Sequence, residues 1–144
     1  MREDAQLILK LYELRRDPEL RAARRWFVAD FHPTSAQDIV DRMTGGFEGS
    51  AAYRMVTTYW EMAAALVNRG ALDEGLFQDA NTEHVMVMAK LHPFLTEVRA
   101  RFREPGYLRQ LEDLVLRLPD AEALMARRRH LCELWRERTG AAPA

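Results

Sequence analysis

Three polar side chains have the chemistry of a binding or catalytic group: two lie on apolar helical stripes, and the third lies on the polar face of the central helix, where it would be buried only if another helix covered it. Arg128 lies within the apolar stripe of the last predicted helix, His84 starts another stripe, and Glu61 lies in a long aromatic helix. A buried arginine can anchor an anion, and a glutamate or histidine shielded from water can serve as a base. The more common roles are a structural ion pair, a solvated acid and a packed core histidine. Arg128, Glu61 and His84 are therefore the candidate ligand-binding residues, with no catalytic residue assigned.

The sequence gives little support for a metal site or for a catalytic nucleophile. His84, Met88 and His92 recur at four-residue spacing, but two imidazoles and a thioether are too few ligands for zinc. Cys132, the single cysteine, lies on an apolar stripe, where a thiol is inert because burial raises its pKa. There is no Walker loop, GxGxxG, HExxH, CxxC or GxSxG motif. We expect no metal, no cofactor and no enzymatic activity.

Basic residues cluster at 24–26 and 127–130, which raises nucleic-acid binding as an alternative. Such binding requires one coherent basic face, here joining Arg24, Arg25, Arg127 and Arg129. Consecutive helical residues point in different directions, and the formal net charge of the chain is −1. Residues 35–72 faintly suggest a helix-turn-helix unit, but their six-residue connection contains three glycines, whereas such turns have three or four residues. Solvated surfaces are the better interpretation of both clusters.

Hydrophobic periodicity predicts helices throughout and no strand. The expected helices span residues 4–16, 18–31, 35–43, 50–69, 73–80, 82–103, 107–118 and 119–138. We predict an all-α fold, a single compact bundle of seven or eight helices without a sheet. The 144 residues form one domain, with residues 139–144 as a frayed tail.

The helix over 50–69 should be central, because its apolar arc is wide enough to pack against several neighbours. Ser50 is expected as its N-cap and Gly70 as the left-handed residue after its last turn. Pro93 should kink the sixth helix. Apolar stripes that include Leu7 and Leu14 in the first helix, and Met62 in the central helix, are expected to be buried. The same expectation applies to Leu131 and Trp135 in the last helix.

Residues 53–114 resemble a bacterial family of all-helical domains of unknown function. The resemblance is carried by Tyr59-Trp60-Glu61-Met62-Ala63, then by Gly70-Ala71-Leu72-Asp73, a helix from His84 to Arg103, an aromatic residue at Tyr107 and an acid at Glu112 or Asp113. It implies an all-α fold and a glutamate typical of the family at Glu61, with no established activity. Some members carry an N-terminal membrane span, whereas no apolar run here approaches the roughly 18 residues of a span.

We therefore expect a non-enzymatic interaction or regulatory module of the bacterial cytoplasm that acts as a homodimer. The seven methionines and three tryptophans leave room for an exposed apolar patch, and a single cysteine fits a reducing compartment. One alternative is a helical enzyme or small-molecule binder with a pocket between the central and last helices. In that alternative Arg128 would hold the anion and Glu61 or His84 would act as base.

Overall fold

The computed structural model describes residues 2–138, which form nine α-helices and no strand. In chain order they are α1 (Arg2–Arg15), α2 (Pro18–Ala29), α3 (Ala36–Thr44), α4 (Ser50–Asn68), α5 (Glu74–Ala80), α6 (Glu83–Leu91), α7 (Leu95–Phe102), α8 (Arg109–Leu116) and α9 (Ala121–Arg138). The predicted all-α bundle is confirmed. If α6 and α7 are counted as the two halves of one predicted helix, the number of helices is eight, as expected. The predicted frayed tail lies outside the described residues. None of the helices in residues 2–138 is long and apolar enough to cross a membrane.

Helix α4 is the centre of the bundle and packs against α2, α3 and α8. Its large side chains Tyr53 and Trp60 are fully buried. Burial extends further around α4 than its apolar arc indicates, because Thr57 is also covered. Met62, expected to be buried, is instead 45% exposed. The core therefore lies on both sides of α4.

The two ends of α4 differ in how well local sequence predicts them. Gly70 has φ of 81°, and the N–H groups of Gly70 and Ala71 donate to the carbonyls of Val67 and Leu66, as in a Schellman motif. The predicted N-cap at Ser50 is wrong: Gly49 caps the helix with φ of 85°, and Ser50 is already helical. Trp26 lies so close to Gly49 that a Cβ at this position would fall 2.1 Å from its ring.

Pro93 breaks the predicted sixth helix and does more than kink it. A 3-10 turn, His92–Phe94, separates α6 from α7, because proline has no N–H to donate and its ring displaces the carbonyl four residues earlier. That carbonyl, of Ala89, accepts a hydrogen bond from Arg129 Nη1 of α9 at 2.9 Å. The break in α6 thus becomes a docking point for α9.

The outermost helices bury less than their patterns indicate. In α1 only Leu11 is buried, whereas Leu7 and Leu14 are exposed. In α9 the buried residues are Ala121, Met125 and Cys132. The expectation that Leu131 and Trp135 are buried is wrong, because α9 packs mainly on α6, with smaller contacts to α2 and α8, along one flank.

Candidate functional site

Glu61 caps the N-terminus of α8 from a distant part of the chain. Its two carboxylate oxygens accept from the backbone N–H groups of Leu111, at 2.8 Å, and Gln110, at 3.2 Å. The residue before α8, Leu108, is left-handed with φ of 54° and has no polar side chain for capping. Burial raises the pKa of Glu61, while the two N–H donors act against this rise. The carboxylate is neither in bulk solvent nor free, and it stabilises the start of α8.

A polar cluster continues from Glu61 toward the connection before α8. The hydroxyl groups of Tyr53 and Tyr107 lie 2.6 Å apart, and burial raises the pKa of Tyr107 to about 12. Arg99 donates to the carbonyl of Tyr107 at 2.8 Å and to the buried Glu112 carboxylate at 3.0 Å. These bonds hold α4, α7 and α8 together.

His84 is fully buried between the rings of Trp60 and Phe77, at centroid distances of 5.6 and 5.0 Å. Its Nε2 lies 2.7 Å from the side-chain oxygen of Gln78. Burial, reinforced by the positive charges of Arg128 and Arg15, lowers the pKa of His84 to about 4. The ring is therefore neutral at pH 7.

His84 and His92, which recur with Met88 at four-residue spacing, bond to different partners in the structure. His92 Nε2 lies 3.4 Å from the Glu112 carboxylate, whereas His84 Nε2 lies beside Gln78. Within residues 2–138, no three His, Cys, Asp or Glu side chains come together as a metal site.

Arg128 is half-buried and makes no ion pair with a carboxylate of residues 2–138. It lies close enough to His84 to affect the pKa of that ring. Glu61 is engaged elsewhere, at the start of α8. The three candidate residues therefore do not form one site: Glu61 belongs to the cluster at the start of α8, and Arg128 acts on His84 only through its charge.

Arg24, one of the clustered basic residues at 24–26, forms an internal ion pair. Its Nε lies 2.9 Å from the Glu83 carboxylate, which also accepts from the Trp60 indole at 3.0 Å. Arg24 therefore serves as a structural cation, unlike the solvated surface residue that the sequence analysis expected at this cluster.

Lys90 is a buried cation that the sequence analysis did not single out. Its ammonium group donates to the carbonyls of Phe27, Val28 and Phe31 at 2.7, 3.1 and 2.8 Å, around the C-terminus of α2. Burial lowers its pKa to about 8. A positive charge at a helix C-terminus is favourable, so Lys90 caps α2 as Glu61 caps α8. The one signal in the sequence was its rarity, since Lys90 is one of two lysines beside 19 arginines.

The largest apolar side chains exposed on α9 share one face, which we call the α9 apolar face. It consists of Leu131, Leu134 and Trp135, which are 50, 40 and 52% exposed. Their spacing of three and four residues places them side by side on the helix. Cys132, which is buried, lies on the neighbouring flank that docks on the bundle.

The protein is an all-α domain in which Glu61, Arg24 and Lys90 bond within the fold, and its last helix presents an apolar face. Residues 1–118 match the family model of a domain of unknown function, DUF4760, and the chain belongs to this family. The match confirms the suspected resemblance and extends it from the central segment to the N-terminal helices. Helix α9 follows the matched residues. Neither the curated proteins nor the solved structures contain a match to the chain.

Proposed function

We propose that this chain is a non-enzymatic interaction module that pairs with a second copy through the α9 apolar face. The observation that carries the proposal is the grouping of Leu131, Leu134 and Trp135, each at least 40% exposed, on one side of one helix. These three side chains present on the order of 300 Å² of apolar surface, comparable with the largest patch on typical monomers, which is often functional.

Polar side chains along one edge of this face suit a second copy in antiparallel orientation. His130 and Glu137 are seven residues apart and so lie on the same edge of the face. A two-fold axis near Glu133 would set Glu137 of each copy beside His130 of the other, which is the self-complementarity that a symmetric dimer requires. Stable interfaces bury about 800 Å² per partner, so a patch of this size favours a weak, reversible dimer.

The internal engagement of the candidate catalytic groups supports a non-enzymatic role. Glu61 is held by two backbone N–H groups, and His84 is enclosed by aromatic rings. Nucleic acid is left out of the proposal because Arg24, part of the required basic face, is paired with Glu83 within the fold, and the net charge of the chain is −1. A bacterial cytoplasm is the proposed location, supported by the bacterial resemblance and by the single, buried thiol of Cys132.

Sedimentation analysis tests the dimer over concentrations from about 1 µM to about 200 µM, where weak complexes dissociate. We expect reversible dimerisation that Leu131→Glu abolishes, because a carboxylate would be buried at the centre of the interface. Leu116→Glu is the matched control, since Leu116 is a similarly exposed leucine on α8. A monomer at every concentration, or a dimer that survives Leu131→Glu, would refute the proposal.

A further inference from the structure

A cavity of about 220 Å³ lies between α9, the C-terminal end of α6 and the connection from α2 to α3. Its wall includes His32, Lys90, Phe94, Arg129 and Arg136. We propose that this cavity binds a small phosphate monoester, with the phosphate between Arg129 and Arg136 and the organic group against Phe94. The inference is independent of the dimer, because these α9 residues lie on the flank away from the α9 apolar face.

The charge of the lining favours an anion. Lys90, Arg129 and Arg136 supply three positive charges against one negative charge, that of Glu133, in a chain whose net charge is −1. Neither Arg129 nor Arg136 forms an ion pair with a carboxylate of residues 2–138. The local excess of positive charge is therefore available to a dianion, and a guanidinium fork suits phosphate oxygens.

Arg129 is pre-positioned for this role. One of its terminal nitrogens is fixed by the Ala89 carbonyl at 2.9 Å, the carbonyl left open by Pro93. Among residues 2–138, no other group accepts a hydrogen bond from the Arg129 guanidinium, which leaves its remaining N–H groups for a ligand. A donor that is already ordered loses less conformational entropy on binding.

The cavity is smaller than the roughly 300 to 1,000 Å³ of pockets for drug-sized ligands, so it suits a compact molecule. Phe94, Pro33 and Pro93 give it an apolar wall. Inorganic phosphate would leave this wall uncovered, whereas a monoester with a small apolar group would cover it. The shape and chemistry of the lining thus favour an organic phosphate.

His32 provides an internal reporter for anion binding. Its Nε2 lies 2.9 Å from the Ala29 carbonyl and donates to it, so the neutral ring carries its lone pair on Nδ1. Burial lowers the pKa of His32, and the charges of Lys90 and Arg136 add to this effect. The other charged or titratable groups around it are Asp30 of the same connection, Asp38 and Arg42 of α3, and Arg129, Cys132 and Glu133 of α9. A bound dianion would offset the positive charges and raise the pKa of His32.

NMR titration of the full chain with phenyl phosphate, at low ionic strength, tests the site. We expect saturable shifts of the His32 ring and nearby amides and a higher His32 pKa in the bound state. Arg136→Gln should weaken binding about tenfold, whereas Arg127→Gln, an exposed arginine elsewhere on α9, should leave it unchanged.

Inorganic phosphate serves as the second probe. Weaker binding of inorganic phosphate than of phenyl phosphate supports the apolar wall as part of the site, and equal binding overturns it. No saturable shift at about 10 mM phenyl phosphate, or equal affinity in Arg136→Gln, would overturn the site itself.

Discussion

Low pH should destabilise this fold because His84 is buried, and the size of the loss in stability follows from the lowered pKa of its ring. The unfolded ring binds a proton below its ordinary pKa of 6.5, whereas the folded ring does so only near 4. Between these values the unfolded state binds more protons, so the free energy of unfolding falls as the pH falls. At about 1.4 kcal/mol per pH unit, His84 accounts for a loss of about 3 kcal/mol between pH 6.5 and pH 4.

Urea unfolding followed by tryptophan fluorescence measures this loss in the wild type and in His84→Gln. The glutamine keeps an amide that can bond Gln78 but has no titration in this range. The difference between the two proteins cancels the contributions of all other groups, and His130→Gln is the control because His130 is exposed. Parallel pH dependence in wild type and His84→Gln, or a ring that titrates near 6.5 by NMR, would refute the reasoning.

Two further predictions concern the charges that cap distant helices. Glu61→Ala removes both acceptors from the start of α8 and should lower the free energy of unfolding by about 2 kcal/mol, whereas Glu48→Ala, at an exposed loop position, should change it little. An unchanged chemical-denaturation midpoint in Glu61→Ala would contradict the capping role. Lys90→Met leaves three carbonyls near the end of α2 without their donor and should destabilise by about 2 kcal/mol. Lys10→Met, the same substitution at an exposed lysine, is its control, and equal stability of the two variants would contradict the assignment.

Local signals predicted most of the helix boundaries. Asp17, Ser35 and Asp73 accept from backbone N–H groups two or three residues further on, so their neighbours in sequence were sufficient. Gly70 was predictable for the same reason. The start of α8 at Arg109, two residues later than predicted, depends on Glu61 and the left-handed Leu108. No local pattern contains that information.

Fewer features of the candidate site than of the helix boundaries could be predicted from the sequence. Glu61 bonds a residue 50 positions away, and Lys90 bonds a carbonyl 59 positions away, so their roles depend on tertiary packing. The stripe of α9 has the period of a buried helix along its whole length, and periodicity alone cannot tell which part a neighbour covers. Leu131 and Trp135 are exposed because α6 and α2 cover only one flank of α9.

Helices α8 and α2 are capped by side chains from distant segments, Glu61 and Lys90, and this affects how the chain folds. Helix α8 has eight residues, too few to be stable alone in water, and its N-terminal N–H groups find their acceptor only when α4 is in place. The C-terminus of α2 likewise acquires its donor only when α6 docks. A peptide spanning α8 alone should therefore be largely unstructured, and the ends of both helices should form late, together with the long-range contacts of the core. Unfolding of the bundle should accordingly be cooperative, without a stable fragment in which α8 persists after α4 has separated.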